Sequence, residues 1–399
     1  MRNKYNDDMF LSNWTPGVFI NGFIAWLFGV TGPLLIVLNA AQLGELSHSI
    51  IVSWVFSIYV VGGLLTVILS VYYKVPIAFA FTIPGAILVG TSLMHHSFND
   101  VLGAYIVTGV LLILISITKS TTLFMKLIPL PIMLGMVSGV LLPFGINIFT
   151  SVTESPLLNG LALATFVFLS FSRRLGRFIP PILGAIIVAF IILLSKNTIQ
   201  IQDMTFTWTM PNLYLPTFNI KTISELVIPL IITVIAIQNG QGIAILDMSG
   251  FKSPIESLTI FSGVGSIINS FFGAHSASVA GPMTGILADA SSGKLEHRYK
   301  AAIVMGVLWM LFGLSATSVI NMIYKIPISL IQLLAGLALI NVLRDSLVST
   351  FSANFKIGAL FSFMITLSDF SLFNIGSPFW GLVFGLMFSF VFDRKDFKS

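Results

Sequence analysis

A stretch between residues 272 and 287, FGAHSASVAGPMTGIL, combines a titratable side chain with a helix start in a part of the chain apolar enough to lie in a membrane. His275 can gain a proton near neutral pH, so it is a candidate for carrying one. The small residues after it predict a short extended segment, and Gly281-Pro282 predicts a helix start, because a proline there loses no hydrogen bond. The free N–H groups of such a start favour anions. We therefore predict an anion site beside a proton carrier, with an ordinary kinked helix as the alternative.

A second stretch, PIAFAFTIPGAILVG at residues 76–90, has the same order of features in the first half of the chain. Pro84-Gly85 predicts the start of another short helix, after an extended segment that contains Phe79 and Phe81. Two broken segments at corresponding places in the two halves are typical of the substrate site of a secondary transporter. We expect the two helix starts to hold an anion without a fixed cation. We also expect one phenylalanine to stack on an aromatic substrate while the other packs in the core.

Three amide side chains occur in IQNGQG, residues 237–242, in the middle of an otherwise apolar segment. Buried amides are costly in a membrane unless they have partners. Gln238 and Gln241 are three residues apart and share a helix face, which favours a ligand surface. Hydrogen bonding between helices is the alternative, and we expect Asn239 to be structural. Asn21 is the polar position that we select in the first apolar segment, with a role in helix packing as its alternative.

The candidate site residues lie on or beside these segments. For substrate binding they are Asn21, Phe79, Phe81, Thr82, Gln238, Gln241, Ser276, Ala277 and Ser278. For proton coupling they are His275 and Asp289, and the half-helix starts are Pro84, Gly85, Gly281 and Pro282. The sequence has no cysteine and no spacing typical of a catalytic triad, a zinc protease or a phosphate-binding loop. It therefore predicts a protein that is not an enzyme, with no cofactor and no metal site.

The composition predicts a polytopic membrane protein. The chain has 399 residues, of which 56% are hydrophobic and 9% are charged, whereas soluble domains carry roughly 25% charged residues. The formal net charge is +5. In a membrane protein an excess of Lys and Arg reflects cytoplasmic loops rather than nucleic-acid binding. We expect a bacterial inner membrane protein whose partners are the lipid bilayer, a small organic anion and protons; a homodimer is left open.

About fourteen apolar segments come close to the length that a membrane helix needs, which is about 20 residues. They are 17–39, 50–71, 76–93, 101–118, 124–146, 157–172, 178–195, 224–246, 256–272, 276–291, 299–320, 327–343, 351–368 and 376–392. With the N-terminus in the cytoplasm, all 20 Lys and Arg residues fall inside except Lys196, Lys221 and Lys325. A missed segment would move every later loop to the opposite side of the membrane and so destroy this asymmetry. The asymmetry therefore supports the count of fourteen, and an even count places both termini in the cytoplasm.

Weak internal similarity relates the two halves of the chain. Ile106 and Gly109 recur as Ile303 and Gly306, at the same offset that separates the two predicted half-helix starts. If each half has an odd number of membrane segments, the second half has the opposite orientation in the membrane from the first half. The sequence therefore predicts an all-α polytopic protein with a seven-plus-seven inverted repeat, and short strands and half-helices in its third and tenth segments.

Four motifs carry a resemblance to a known family. They are IPLPIMLGMVSGVLLPFG (128–145), IQNGQG (237–242), FGAHSASVAGPMTGI (272–286) and RYKAA (298–302). They resemble the benzoate transporter family of BenE-type benzoate:proton symporters, over essentially the whole chain. The resemblance implies the fourteen-segment fold that uracil/xanthine permeases share with sulfate and bicarbonate carriers. In that fold, strands and half-helices occupy segments three and ten, and a core domain moves against a gate domain.

The resemblance also implies domain boundaries and a function. Residues 1–122 and 201–322 would form the two halves of the core domain, and residues 123–200 and 323–399 those of the gate domain. The implied activity is uptake of benzoate or a similar small aromatic carboxylate with protons. A nucleobase permease and an anion channel or exchanger of the same fold are the alternatives. Nucleobase carriers of this fold use acidic residues in segments eight and ten, and the amides in segment eight argue against that chemistry.

Overall fold

The computed structural model describes residues 14–123, 129–172, 180–196, 198, 206–352, 354–368, 370, 372 and 377–397. Outside these residues lie the segment 1–13 and the beginnings of the fifth, seventh and fourteenth predicted segments. The basic residues used for the topology that also lie outside them are Arg2, Lys4, Lys126, Arg173, Arg174, Arg177 and Lys398.

The described part of the chain is predominantly helical. Its α-helices are α1 (Pro16–Leu43), α2 (His48–Tyr73), α3 (Ile83–Leu93), α4 (Phe98–Ile117), α5 (Leu130–Glu154), α6 (Pro156–Phe171), α7 (Pro181–Ser195), α8 (Ile220–Ile232), α9 (Gly240–Met248), α10 (Ile255–Phe271), α11 (Gly281–Ala288), α12 (Tyr299–Leu314), α13 (Ala316–Ile323), α14 (Ile328–Ser352), α15 (Lys356–Leu367) and α16 (Ser377–Phe392). A π-helical turn, Thr233–Asn239, joins α8 to α9. The two short strands are β1 (Phe79–Phe81) and β2 (Ala277–Val279).

Six of the described helical segments are long and apolar enough to cross a membrane, and a seventh would arise if α12 and α13, which are bent by 66°, count as one. The chain is therefore a multi-pass helical membrane protein. A helix, or a strand followed by a helix, lies at the position of each predicted segment. The count of fourteen stays a prediction, because several of these helices have only 10–17 residues.

Glycines allow two helix pairs to approach until their backbones touch. A Cβ atom on Gly63 of α2 would lie 2.5 Å from the carbonyl oxygen of Gly306 in α12. A Cβ atom on Gly109 of α4 would lie 2.7 Å from the carbonyl oxygen of Gly263 in α10. Small residues at such crossings give close packing between membrane helices, where lipid offers no hydrophobic driving force.

The helices pack in two sets of neighbours. In one set, α1 contacts α3, α11 and α12, while α2 packs on α12 and α4 packs on α10. In the other set, α5 contacts α14 and α15, α15 packs on α16, and α6 packs on α7. Contacts between α1 and α14 join the two sets. The division into core and gate domains with the boundaries given above stays a prediction.

Strands β1 and β2 form the antiparallel sheet that joins the two halves of the chain. Phe79 pairs with Val279 and Phe81 with Ala277. Each strand leads directly into a short helix, α3 or α11, as predicted. These helices begin at Ile83 and Gly281, so both prolines stand at the second helical position rather than the first. The predicted order of extended segment and half-helix is confirmed in both stretches.

Candidate functional site

Side chains from several helices satisfy backbone N–H groups that the two-stranded sheet leaves unpaired at its outer edges and at one end. Each donor is a backbone N–H of the strands or of the residue before them, and each acceptor is a side-chain oxygen. The acceptor–donor pairs are Thr66 with Phe79, Ser266 with Ala277, Thr284 with Ala78 and Asn239 with Val279, at distances between 2.8 and 3.2 Å. Open sheet edges are not tolerated in the hydrocarbon region, because unpaired backbone groups are costly there. The polar residues of four helical segments thus make a β pair stable inside the bundle.

The two half-helix starts differ in whether a side chain caps them. Thr82 precedes α3, and its Oγ1 accepts a hydrogen bond from Gly85 N at 3.2 Å. Ala280 precedes α11 and has no polar side-chain atom, so α11 has no side-chain cap. The expectation that both starts offer free N–H groups to one anion needs correction, because Thr82 already occupies part of the α3 start. The α11 start is the one left open for a ligand.

Two serine hydroxyls on the extended segment before α11 lack partners among the described residues. Ser276 and Ser278 are both fully buried. Neither Oγ has a hydrogen-bond partner among the described residues. Side chains two apart on an extended segment point to the same side, so both hydroxyls face one way. A buried polar group without a partner costs about 1–3 kcal/mol. An anion bound on this face of the sheet would satisfy them.

The two phenylalanines lie on the opposite face of the sheet. Residues that pair directly across strands share a face, so Phe79 and Phe81 lie with Val279 and Ala277. Strand alternation therefore does not separate the two rings, which are 0% and 2% exposed. The Phe81 ring lies 5.5 Å from that of His275, within a buried aromatic cluster. Neither ring has an exposed face, so stacking on a substrate would require this cluster to open.

Ala277, which we selected as a candidate ligand, also lies on the phenylalanine face. A Cβ atom on Gly265 of α10 would lie 2.7 Å from the Ala277 Cβ. Ala277 therefore packs against α10 and does not lie with the two free serine hydroxyls.

Both nitrogens of His275 are occupied. Trp54 Nε1 donates to His275 Nδ1 at 3.0 Å, and His275 Nε2 lies 3.0 Å from the carbonyl oxygen of Thr82. A carbonyl oxygen only accepts, so Nε2 carries the proton and the imidazole is neutral. A second proton on Nδ1 would break the bond from Trp54. His275 is fully buried, and in this arrangement it is a bridge between α2 and the turn into α3.

Asn21 and Asp289 lie at the other end of α11 from the sheet. Asn21 Nδ2 donates to Ser291 Oγ at 2.8 Å and to Ser292 Oγ at 2.6 Å. The Asp289 carboxylate accepts from the backbone N–H and the hydroxyl of Ser291, at 2.8 and 2.6 Å. An eight-residue helix is about 12 Å long. The structure therefore brings Asn21 and Asp289 together, but away from the serines of β2.

The amide cluster lies at the junction of the π-helical turn and α9, beside the α11 start. A Cβ atom on Gly281 would meet the Cγ, Cδ and Oε1 atoms of Gln241 at 2.6–2.7 Å. The Gln241 amide thus lies over the first turn of α11, and only glycine leaves room for it. Gln238 is 7% exposed, and like Gln241 it has no side-chain hydrogen bond among the described residues. π-Helical turns inside α-helices are frequent at functional sites.

Asn239 links the π-helical turn to β2 and to α10. Its Oδ1 accepts from Val279 N at 2.8 Å, and its Nδ2 donates to Ser262 Oγ at 3.0 Å. It was expected to be structural, and its contacts agree with that role. The residues that sequence reasoning missed are its counterparts Thr66, Ser266 and Thr284, and Trp54. Their signal is a polar atom within an apolar helix, which many residues of this chain share.

Replacing Asn239 by alanine is expected to lower the midpoint of thermal unfolding by several degrees. The change leaves the Val279 N–H unpartnered, and an unsatisfied buried group costs about 1–3 kcal/mol. Thermal unfolding of the purified protein in detergent measures the effect. Gln238→Ala is the matched control, since its amide has no partner to lose among the described residues. Equal stability of the Asn239→Ala variant and the wild type would contradict the linking role.

A family model now decides the relationship that the motifs suggested. The model of the benzoate membrane transport protein family, BenE, matches residues 12–391. The chain belongs to this family. The resemblance found in the sequence is thereby confirmed, and the BenE family is one of membrane transporters rather than enzymes.

Two curated relatives match the chain over nearly its full length. The inner membrane protein YdcO of Escherichia coli (strain K12) is 30% identical over 373 residues, which are 93% of this chain and 94% of YdcO. The benzoate membrane transport protein of Acinetobacter baylyi is 29% identical over 387 residues, which are 95% and 96% of the two chains.

Two solved structures of anion transporters, SLC26A9 and BicA, have the same fold type as this chain. SLC26A9 superposes with a TM-score of 0.63 at 16% identity, over 93% of this chain, which spans 64% of the SLC26A9 chain. The transmembrane domain of the cyanobacterial bicarbonate transporter BicA gives a TM-score of 0.59 at 14% identity, over 93% of this chain and 97% of that one. At such identities the likeness concerns the fold.

Proposed function

We propose that this BenE-family protein is a secondary transporter that takes up a small aromatic carboxylate, such as benzoate, together with protons. The observation that carries the proposal is the pair of buried hydroxyls of Ser276 and Ser278, which have no partner among the described residues and lie on the extended segment that leads to the uncapped start of α11. A carboxylate has two acceptor oxygens, so it can take hydrogen bonds from hydroxyls and from backbone N–H groups at once. A relative that is 29% identical is named a benzoate membrane transport protein.

The anion would be held without a fixed cation. Residues 75–118, which contain β1 and α3, include no Lys or Arg, and neither do residues 253–293, which contain β2 and α11. The positive end of the α11 dipole and hydrogen-bond donors would then supply the attraction. Gln241, which lies over Gly281, would add an amide donor. A structure with a Lys or Arg side chain on the bound carboxylate would contradict this arrangement.

Transport would follow from movement of the core domain, residues 1–122 and 201–322, against the gate domain, residues 123–200 and 323–399. The protein would lie in a bacterial inner membrane with both termini in the cytoplasm, and it would work alone or as a homodimer. The alternatives of the same fold are a nucleobase permease and an anion channel or exchanger. Amides rather than carboxylates in the middle of the eighth segment favour the carboxylate transporter.

Uptake into proteoliposomes separates these functions. With an acidic exterior, the purified protein is expected to accumulate labelled benzoate above its external concentration, and an uncoupler should abolish the accumulation. Protein-free liposomes measure leakage of protonated benzoic acid, and labelled uracil tests the nucleobase alternative. Benzoate flux that never exceeds equilibration under a pH gradient would indicate a channel. Uracil uptake without benzoate uptake would overturn the proposal.

A further inference from the structure

A second histidine forms a buried pair with a carboxylate away from the strand pair. His96 Nε2 lies 2.8 Å from Glu225 Oε2, and the two side chains are only 8% and 9% exposed. His96 follows α3, and Glu225 lies in α8 near its beginning. The other nearly buried carboxylate in the described chain, Asp393, accepts hydrogen bonds from Gly358 N and Ser389 Oγ. Asp393 therefore caps α15, whereas Glu225 has His96 as its hydrogen-bond partner among the described residues.

The net charge of this pair depends on one proton. A carboxylate oxygen accepts, so His96 Nε2 donates the hydrogen bond in either state. With a neutral imidazole the pair carries a net charge of −1, and with a second proton on Nδ1 its net charge is zero. A net charge is costly in a buried place. Histidine is the side chain whose ordinary titration falls between pH 5 and 8. Proton uptake by the His96 imidazole therefore removes a buried net charge.

The pair is connected to both sides of the candidate anion site. The His96 N–H donates to Ser92 O at 2.9 Å, which fixes the histidine to the last turn of α3. The first turn of the same helix adjoins the strand pair, where Leu230 of α8 packs on Gly85. Helix α8 continues through the π-helical turn to the amide cluster. An eleven-residue helix is about 16 Å long, so the pair lies about this far from the strand pair, at the other end of α3.

Few other charged groups face the pair from the elements packed against α8. On α4, Asp100 is bound by Thr217 Oγ1 at 2.6 Å and Asn219 Nδ2 at 3.4 Å, and the hydroxyl of Tyr105 is buried. Helix α3, the π-helical turn and α16 contain no titratable residue. Lys221 on α8 and His95 in the same loop are exposed. The surroundings thus add a second carboxylate, that of Asp100, near the pair.

We propose that His96 and Glu225 form a proton-binding site that raises the affinity of this transporter for its anion when the predicted outer side is acidic. The inference rests on the proposed function and names the residues that bind the coupled proton. A proton from the outer solution binds the pair, the repulsion between Glu225 and the incoming carboxylate falls, and the affinity rises. By linkage, anion binding must then draw a proton onto the pair to the same degree.

Binding of benzoate to the purified protein in detergent, from pH 5.5 to 8, tests the inference, because benzoate stays ionised throughout this range. We expect the wild-type Kd to rise about fivefold in total between pH 5.5 and pH 8, which is the effect of repulsion between unit charges about 16 Å apart. By linkage, we expect benzoate binding to take up a fraction of a proton, at most about 0.4 per benzoate for a fivefold coupling, in weakly buffered solution. Glu225→Gln mimics the neutral carboxyl, so its Kd should change less than twofold over the range and its proton uptake should vanish. Glu45→Gln, at an exposed carboxylate on the same predicted side, should keep the wild-type profile.

His96→Gln keeps an amide donor for Glu225 and removes the titratable ring, so proton uptake near neutral pH should also vanish in this variant. If Glu225→Gln fails to fold, His96→Gln is used in its place. A wild-type pH profile and proton uptake in whichever of these variants folds would overturn the inference while leaving the proposed function intact. A wild type that binds no benzoate at any pH would remove the proposed function and this inference with it.

Discussion

Replacing Ser276 and Ser278 together by alanine is expected to weaken benzoate binding by at least about 100-fold without lowering the stability of the protein. A hydrogen bond to a charged group contributes about 1.5–3 kcal/mol, and 1.4 kcal/mol is a factor of ten in Kd. The two hydroxyls have no partners among the described residues. Their removal therefore breaks no hydrogen bond in the free protein, and the midpoint of thermal unfolding should stay the same or rise slightly.

The matched control for this prediction is Ser92→Ala. Ser92 is also fully buried, and its hydroxyl also lacks a partner among the described residues, but it lies in the last turn of α3, away from the sheet. Its replacement should change neither affinity nor stability. Isothermal titration with benzoate and thermal unfolding in the same detergent measure both quantities. Wild-type affinity of the double variant would show that the anion binds elsewhere.

Replacing His275 by alanine is expected to cause the largest loss of stability among the candidate site residues. The change leaves Trp54 Nε1 and the Thr82 carbonyl without partners in a fully buried place. Each unsatisfied group costs about 1–3 kcal/mol, and the lost ring adds a cavity cost. We expect little folded protein by size-exclusion chromatography and a much lower midpoint of thermal unfolding. His95→Ala, at an exposed histidine in the loop after α3, should behave as the wild type.

The milder His275→Gln variant decides between the structural role and a role in proton coupling. An amide can replace part of the bridge, so some folded protein is expected. If His275 is structural, that protein should still accumulate benzoate in proteoliposomes when only a pH gradient is supplied. Normal binding at high pH together with loss of acid-driven accumulation would instead assign the coupling proton to His275. Asp289 is the remaining candidate from the sequence, and its carboxylate is exposed and bound by Ser291.

Much of the architecture could be predicted from the sequence because its signals are local. Apolar runs of suitable length placed the helices, and the composition alone indicated a membrane protein. Proline and glycine after small residues located both half-helix starts within two residues of Ile83 and Gly281. The amides at residues 237–242, which the sequence predicted to form a ligand surface, lie at a helix junction beside the second of these starts. Each of these features depends on the conformational or solvation preference of residues adjacent in the chain.

The tertiary structure alone decided which polar atoms are free. His275 was a candidate for protonation in the sequence, but its partner Trp54 is 221 positions away. Asn21 was placed with the ligand, yet it bonds to Ser292, 271 positions away, at the far end of α11. Ser276 and Ser278 were candidates for substrate binding in the sequence, but only the fold shows that their hydroxyls lack partners among the described residues. A hydrogen bond has no signal in either residue alone, so whether a side chain is structural or available to a ligand depends on what the folded chain brings to it.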